Sequence, residues 1–229
     1  MIKKPAIVVT LALFAAALSF AASPLEKYWA SKGKSYPASN LTGKPKAWAP
    51  GQYVLLGVSS NGKPQSVSRS LLVGKEGSAW IIENWSIDKD GKETVGQTCI
   101  DGYDKAMSAG DASGIEIVWM KTMDKDGKVT KIEGQQLSMF KSISKSSYES
   151  LVTTTTGLIA GGAVAVPAGS FAGTGYAKST VKTMGFSVES EVWFNEAVPI
   201  NGMVKSSSNK GKSVSELLDF GFDGKPKMQ

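Results

Sequence analysis

The chain has 229 residues, no histidine and a single cysteine, Cys99. Its chemistry therefore rests on carboxylates, hydroxyls and lysines. A Ser-His-Asp or Cys-His arrangement is excluded, as is any zinc site that uses histidine. One cysteine also excludes an intrachain disulfide. The best-spaced carboxylates are Glu189 and Glu191. On a strand they share a face, ~6.6 Å apart by strand rise. That separation borders the one inverting glycosidases use, so a carboxylate-dependent hydrolase is one reading. The two point the same way instead of flanking a bond, as in an ordinary solvated strand face. The chain is accordingly read as non-enzymatic. A Ser-Lys pair is formally available among many such residues, and no spacing singles one out.

Two further acidic clusters invite a metal reading, Asp88-Lys89-Asp90-Gly91 and Asp124-Lys125-Asp126-Gly127. An EF-hand loop needs oxygen ligands at positions one, three and five, Gly at six and Glu at twelve. Here Gly comes fourth and Lys sits beside it, so both are read as hairpin turns. No metal and no cofactor is called for. All but one of the 26 basic residues are Lys, the exception being Arg69. Nucleic-acid recognition favours clustered Arg with bidentate geometry, so no nucleic-acid partner is expected.

These residues are carried on a chain patterned in hairpins. Asn61-Gly62, Asp90-Gly91, Asp126-Gly127 and Asp223-Gly224 supply the positive φ angles of tight turns. Period-two runs predict strands at 52–60, 65–73, 79–87, 93–100, 115–123, 129–133, 171–183, 186–194, 203–207 and 214–222. A turn at Met184-Gly185 would join two of them. In the second run Val67, Leu71 and Val73 share a face on which Arg69 is the odd member. Ser23-Pro24-Leu25-Glu26 reads as a capping box opening an N-terminal helix, with Leu25, Tyr28 and Trp29 on the face that docks on the sheet. Tyr103 and Met107 mark a second short helix or a long loop, and a further helix is placed near 144–155. The fold class is mainly β (α+β), a curved antiparallel sheet or half-barrel with an N-terminal helix and one or two further short helices.

Met1-Ile2-Lys3-Lys4, an apolar run from Ala6 to Leu18, and small residues at Ser19 and Ala21 have the layout of a cleaved secretory leader, residues 1–21. The apolar run is shorter than the ~20 residues a spanning helix needs. An exported protein, periplasmic or secreted and with no membrane span after cleavage, is expected. Losing Lys3 and Lys4 leaves 24 basic against 20 acidic residues, a net charge of +4. The mature chain is read as one domain, with an N-terminal helix and connecting segment at 22–50 and the antiparallel β region at 51–229.

The segments Val166-Pro167-Ala168-Gly169-Ser170-Phe171, Val192-Trp193-Phe194, Val198-Pro199 with Gly202, Val204-Lys205, and Gly51-Gln52-Tyr53-Val54 resemble signatures of a group of poorly characterised exported bacterial proteins. In fold that group is similar to the lipoprotein-carrier proteins of the LolA/LolB type. The resemblance implies a curved sheet wrapped around helices with an apolar cavity. It implies no catalytic residues.

Apolar residues on both faces of 52–60 and 79–87 require cover on both sides. A helix can supply one cover; a loop, a partner or an apolar ligand can supply the other. Ligand sites are mostly apolar cavities with a few polar groups. The candidate ligand residues are Trp80, Trp85, Trp119, Phe171 and Trp193, with Leu158 and Ile159 from the uncharged stretch 150–177. That stretch is read as a buried loop feeding a strand, with an apolar lid or a membrane-contacting segment as alternatives. The expected function is binding of an apolar or lipidic ligand in the cell envelope. The alternative is an envelope assembly protein with a protein partner.

Overall fold

The computed structural model describes residues 23–39, 46–155, 157–183 and 186–228. The expected leader and the expected Met184-Gly185 turn lie outside them. The strands are β1 (Ser35–Tyr36), β2 (Tyr53–Ser60), β3 (Lys63–Glu76), β4 (Ala79–Asp88), β5 (Glu93–Asp101), β6 (Glu116–Met123), β7 (Val129–Ile132), β8 (Ile159–Val166), β9 (Gly169–Thr183), β10 (Phe186–Phe194), β11 (Met203–Ser208) and β12 (Ser213–Gly221). Two α-helices interrupt them, α1 (Tyr103–Ala109) and α2 (Gly134–Thr155). All the strands form one sheet in the order β1-β9-β10-β11-β12-β2-β3-β4-β5-β6-β7, with β8 paired to β9. Every pairing is antiparallel except that of β1 with β9.

Three of the four expected turns form, whereas Gly224 has no positive φ and lies in the tail after β12. Asn61 and Gly62 have φ of 50° and 75°, closing β2 onto β3. Asp88 Oδ1 accepts from the amides of Asp90 and Lys92 at 3.0 and 2.9 Å. Asp124 Oδ1 does the same for Asp126 and Lys128 at 3.0 and 2.8 Å. These carboxylates hold backbone amides in Asx turns.

The sheet curls around α2, which touches both β9 and β6 although eight places separate them in the strand order. The inner core therefore joins distant strands. Trp80, Ile82, Ile117, Phe171, Val204 and Leu217 belong to one buried cluster with Tyr103 and Met107 of α1 and Val152 of α2. A second cluster lies on the outer face, where Leu25, Val67, Trp85, Val95, Leu218 and Met228 pack together.

Three expectations need correction. The N-terminal segment forms a single 3-10 turn, Glu26–Trp29, and not an α-helix. The segment after it is drawn out along β9, with Lys32 N bonded to Pro167 O and Ser170 N to Lys34 O. One turn is too short to sustain itself, and docking decides its form. The third helix spans 22 residues and begins at Gly134, ten residues before the expected start. No Pro or Gly interrupts 135–155, so the helix runs back to the left-handed Gly134 (φ 58°). The uncharged stretch holds the end of α2 and the hairpin β8–β9, where a buried loop was expected. Most of β8 is exposed, and Ile159 has 61% of its surface free.

Candidate functional site

The apolar residues on both faces of β2 and β4 are covered by the chain itself. Inside, α1 and α2 cover them. Outside, the N-terminal turn and the C-terminal tail lie on β12, β2, β3, β4 and β5. Trp29 sits over Gly57, where an added Cβ would approach its ring to 2.5 Å. Tyr28 lies beside Trp85, with ring centroids 6.3 Å apart.

The tail is anchored by Glu83, which is wholly buried. Glu83 Oε1 accepts from Arg69 Nη2 at 2.9 Å and from the Lys227 amide at 2.8 Å. Oε2 accepts from the Met228 amide at 2.8 Å and from Gln97 Nε2 at 3.5 Å. Gln97 also donates to Met228 O at 3.1 Å. A carboxylate is tolerated there because charge and hydrogen bonds compensate it. This explains the odd arginine: Arg69 reaches the outer face because Glu83, fourteen residues on, stands beside it. Lys227 Nζ adds an ion pair to Glu93 at 2.7 Å, and Trp85 Nε1 donates to the same carboxylate at 2.8 Å. Those two hydrogen bonds, Lys227 first, hold the Glu93 carboxyl below its ordinary value.

Four of the seven candidate ligand residues are closed in by this packing. Trp80 and Phe171 lie in the inner core, Trp85 in the outer cluster, and Trp119 beside Cys99. Each of the three tryptophans donates its indole N–H to a carboxylate, Trp80 to Asp104, Trp85 to Glu93 and Trp119 to Glu76. Each also carries a lysine on its ring, Lys75, Lys227 and Lys121 respectively. Cys99 is buried, and burial pushes its thiol up to about 11, as befits an inert core residue.

The remaining three candidates gather at one end of the sheet. Ile159 pairs across to Tyr176, and Tyr176 across to Trp193, so the three form one row over β8, β9 and β10. The parity of β9 and β10 puts this row on the outer face, since Phe171, Val192 and Phe194 point into the core. The Tyr176 and Trp193 rings are 5.4 Å apart. At Gly161 an added Cβ would lie 2.6 Å from Tyr176 and 3.2 Å from Trp193, so only glycine lets β8 pass this close. Leu158 turns the other way, against Gly175. Trp193 differs from its three counterparts, for no described carboxylate meets its indole N–H.

Next to this row lies an open cleft of 610 Å³, lined by Lys178, Glu189, Ser190 and Glu191 together with Ser207, Lys210 and Gly211. Tyr176 joins the two regions, because its hydroxyl donates to Glu191 Oε1 at 2.7 Å. That hydrogen bond raises the phenol above its ordinary value. Glu189 and Glu191 thus share a face as the spacing required, and both are exposed. The part of the cleft from Lys210 and Gly211 was not anticipated. Asn209, Lys210 and Gly211 all have positive φ, an unusual conformation for a lysine.

No family model matches the chain, and no curated protein matches it. Among solved structures, it is similar to a hypothetical protein from Chlamydia trachomatis at 9% identity, covering 79% of this chain and 91% of that one, with a TM-score of 0.46. It is also similar to a Bacteroides fragilis protein, described as exported and of YmcC-like fold, at 13% identity, covering 76% and 96%, with a TM-score of 0.34. Neither is described as a lipoprotein carrier, and both scores fall below what a shared fold requires. Among the described residues, no helix is long and apolar enough to cross a membrane.

Proposed function

We propose that this chain is an exported, non-catalytic binding protein of the cell envelope, and that its ligand is an amphiphile held on the outer face of β8–β11. The apolar part of the ligand lies on Ile159, Tyr176 and Trp193, and its polar head lies in the neighbouring cleft. One observation carries this reading. The chain's own termini close the outer face over β2–β5, while the row over β8–β10 keeps Ile159 exposed beside a polar cleft. Aromatic rings with one wet edge suit such a ligand. The leader at 1–21 supports export. An apolar or lipidic ligand accords with the expectation from the two-sided apolar strands, but its place is moved. The inner face, where the resemblance to lipoprotein carriers implies a cavity, is packed here with α1, α2 and the inner cluster.

Isothermal titration with a short-chain diacyl phospholipid below its micelle concentration tests the reading. Saturable binding is expected, weakened at least about tenfold by Trp193→Ala, the loss of one large aromatic contact. Binding unchanged by Trp193→Ala and by Ile159→Ser contradicts it.

A second reading is an assembly protein with a protein partner. It is favoured by the first half of α2, where Met139 and Phe140 are 56% and 38% exposed.

A further inference from the structure

We infer that the head bound in the cleft is zwitterionic, an ammonium and a phosphate carried by one ligand. This rests on the amphiphile reading and specifies its chemistry. Among the described lining residues two lysines face two glutamates, so their formal charges balance. Glu191 stands directly across from Lys178 in the β9–β10 register and directly across from Ser207 in the β10–β11 register. Yet among the described residues Lys178, Lys210 and Glu189 form no ion pair, with one another or with any other group. The adjacent row behaves differently. There Lys205 and Glu216, also directly opposed across two strands, close to 3.5 Å.

The strand order sets Glu189 and Glu191 of β10 between Lys178 of β9 and Lys210 of the turn after β11, so the cleft presents donors and acceptors side by side. A purely anionic head would meet Glu189 and Glu191 as like charges. A neutral head would leave all four charges unmatched. A head with both charges satisfies both pairs, its phosphate taking the lysines and its ammonium the carboxylates. Lys210 stands at the cleft in a left-handed backbone conformation that disfavours any residue but glycine. The Tyr176 hydrogen bond fixes Glu191 on the side of the cleft nearest the apolar row. The 610 Å³ of the cleft lies within the usual range for small-ligand sites, about 300–1,000 Å³.

The test is titration of the protein with dihexanoyl phosphatidylethanolamine, dihexanoyl phosphatidylglycerol and chain-free O-phosphoethanolamine. The ethanolamine lipid is expected to bind at least about tenfold more tightly than the glycerol lipid, the step of one charge-assisted contact. Glu189→Gln with Glu191→Gln is expected to erase that preference, and Lys178→Gln with Lys210→Gln to weaken both lipids. O-phosphoethanolamine is expected to compete, more weakly than the lipid. All four positions are exposed surface sites, and circular dichroism checks that the variants fold. Equal affinity for the two lipids, with both still lost in Trp193→Ala, overturns the inference and leaves the amphiphile reading standing. Binding of neither lipid overturns both. O-phosphoethanolamine binding as tightly as the lipid, with the glutamate dependence kept, upholds the zwitterion and identifies a free phosphoamine as its source.

Discussion

Glu83 illustrates how much one side chain organises at the residue scale. It neutralises Arg69 and satisfies two consecutive tail amides, so its removal leaves a half-buried guanidinium and two amides without partners. Glu83→Ala is therefore expected to cost about 3 kcal/mol in urea unfolding. Met228, buried beside it, contributes about 2 kcal/mol through its side chain. The neighbouring Glu93 gives a pH dependence. Its carboxyl is held below the ordinary 4.5 by Lys227 and Trp85. A depressed folded-state value means the stabilisation is fully present above 4.5 and is lost as pH falls through the lowered value. The Glu93→Gln variant is expected to lose less stability than the native chain between pH 5 and pH 3, read from urea midpoints. Arg69 was legible as an anomaly on an apolar face, whereas its partner was not. The pairing needs the β3–β4 register and a tail more than 140 residues away, and no local pattern encodes either.

At the scale of elements, period two and the Asn-Gly and Asp-Gly turns located ten strands, nine of them to within two residues of their ends and β3 three residues short of Glu76, because each hairpin is encoded in contiguous sequence. What escaped was set by contacts remote in the chain. The parallel pairing of β1 with β9 depends on a drawn-out N-terminal segment, and β8 carries too few large residues to announce a strand. The helix α2 starts early because nothing in 135–155 breaks it, and its start is hidden because Leu137, Met139, Phe140 and Ile143 fit helix and strand spacings alike. Docking of the N-terminal turn depends on one missing side chain. At Gly57 a Cβ would meet the Trp29 ring at 2.5 Å and Leu218 at 2.7 Å. Gly57→Val is expected to detach Leu25–Trp29 while the β2–β3 hairpin persists. Hydrogen exchange checks this, with faster exchange expected at Tyr28 and no change at Val67.

Across the whole molecule, the sheet is one continuous surface used in two ways. Its inner face is closed by two helices, and its outer face is divided between a part covered by the chain's ends and a part left open. Apolar residues on both faces of 52–60 and 79–87 foretold the two-sided need for cover, and the structure assigns that cover to the chain itself over β2–β5. Of the seven residues first considered for a ligand, the fold buries four, turns Leu158 toward the inner face, and leaves Ile159 and Trp193 together on the open part with Tyr176. The cleft beside them was half legible, through Glu189 and Glu191. Lys178 and Lys210 join them only through the pairing of β9 with β10 and the turn before β12. A hydrogen-exchange footprint with and without dihexanoyl phosphatidylethanolamine tests this division most directly. Protection is predicted at Ile159–Gly162, Thr174–Lys178 and Glu189–Trp193, with none in α2. Protection confined to the Met139–Phe140 region of α2, or none anywhere at saturating lipid, would contradict the account.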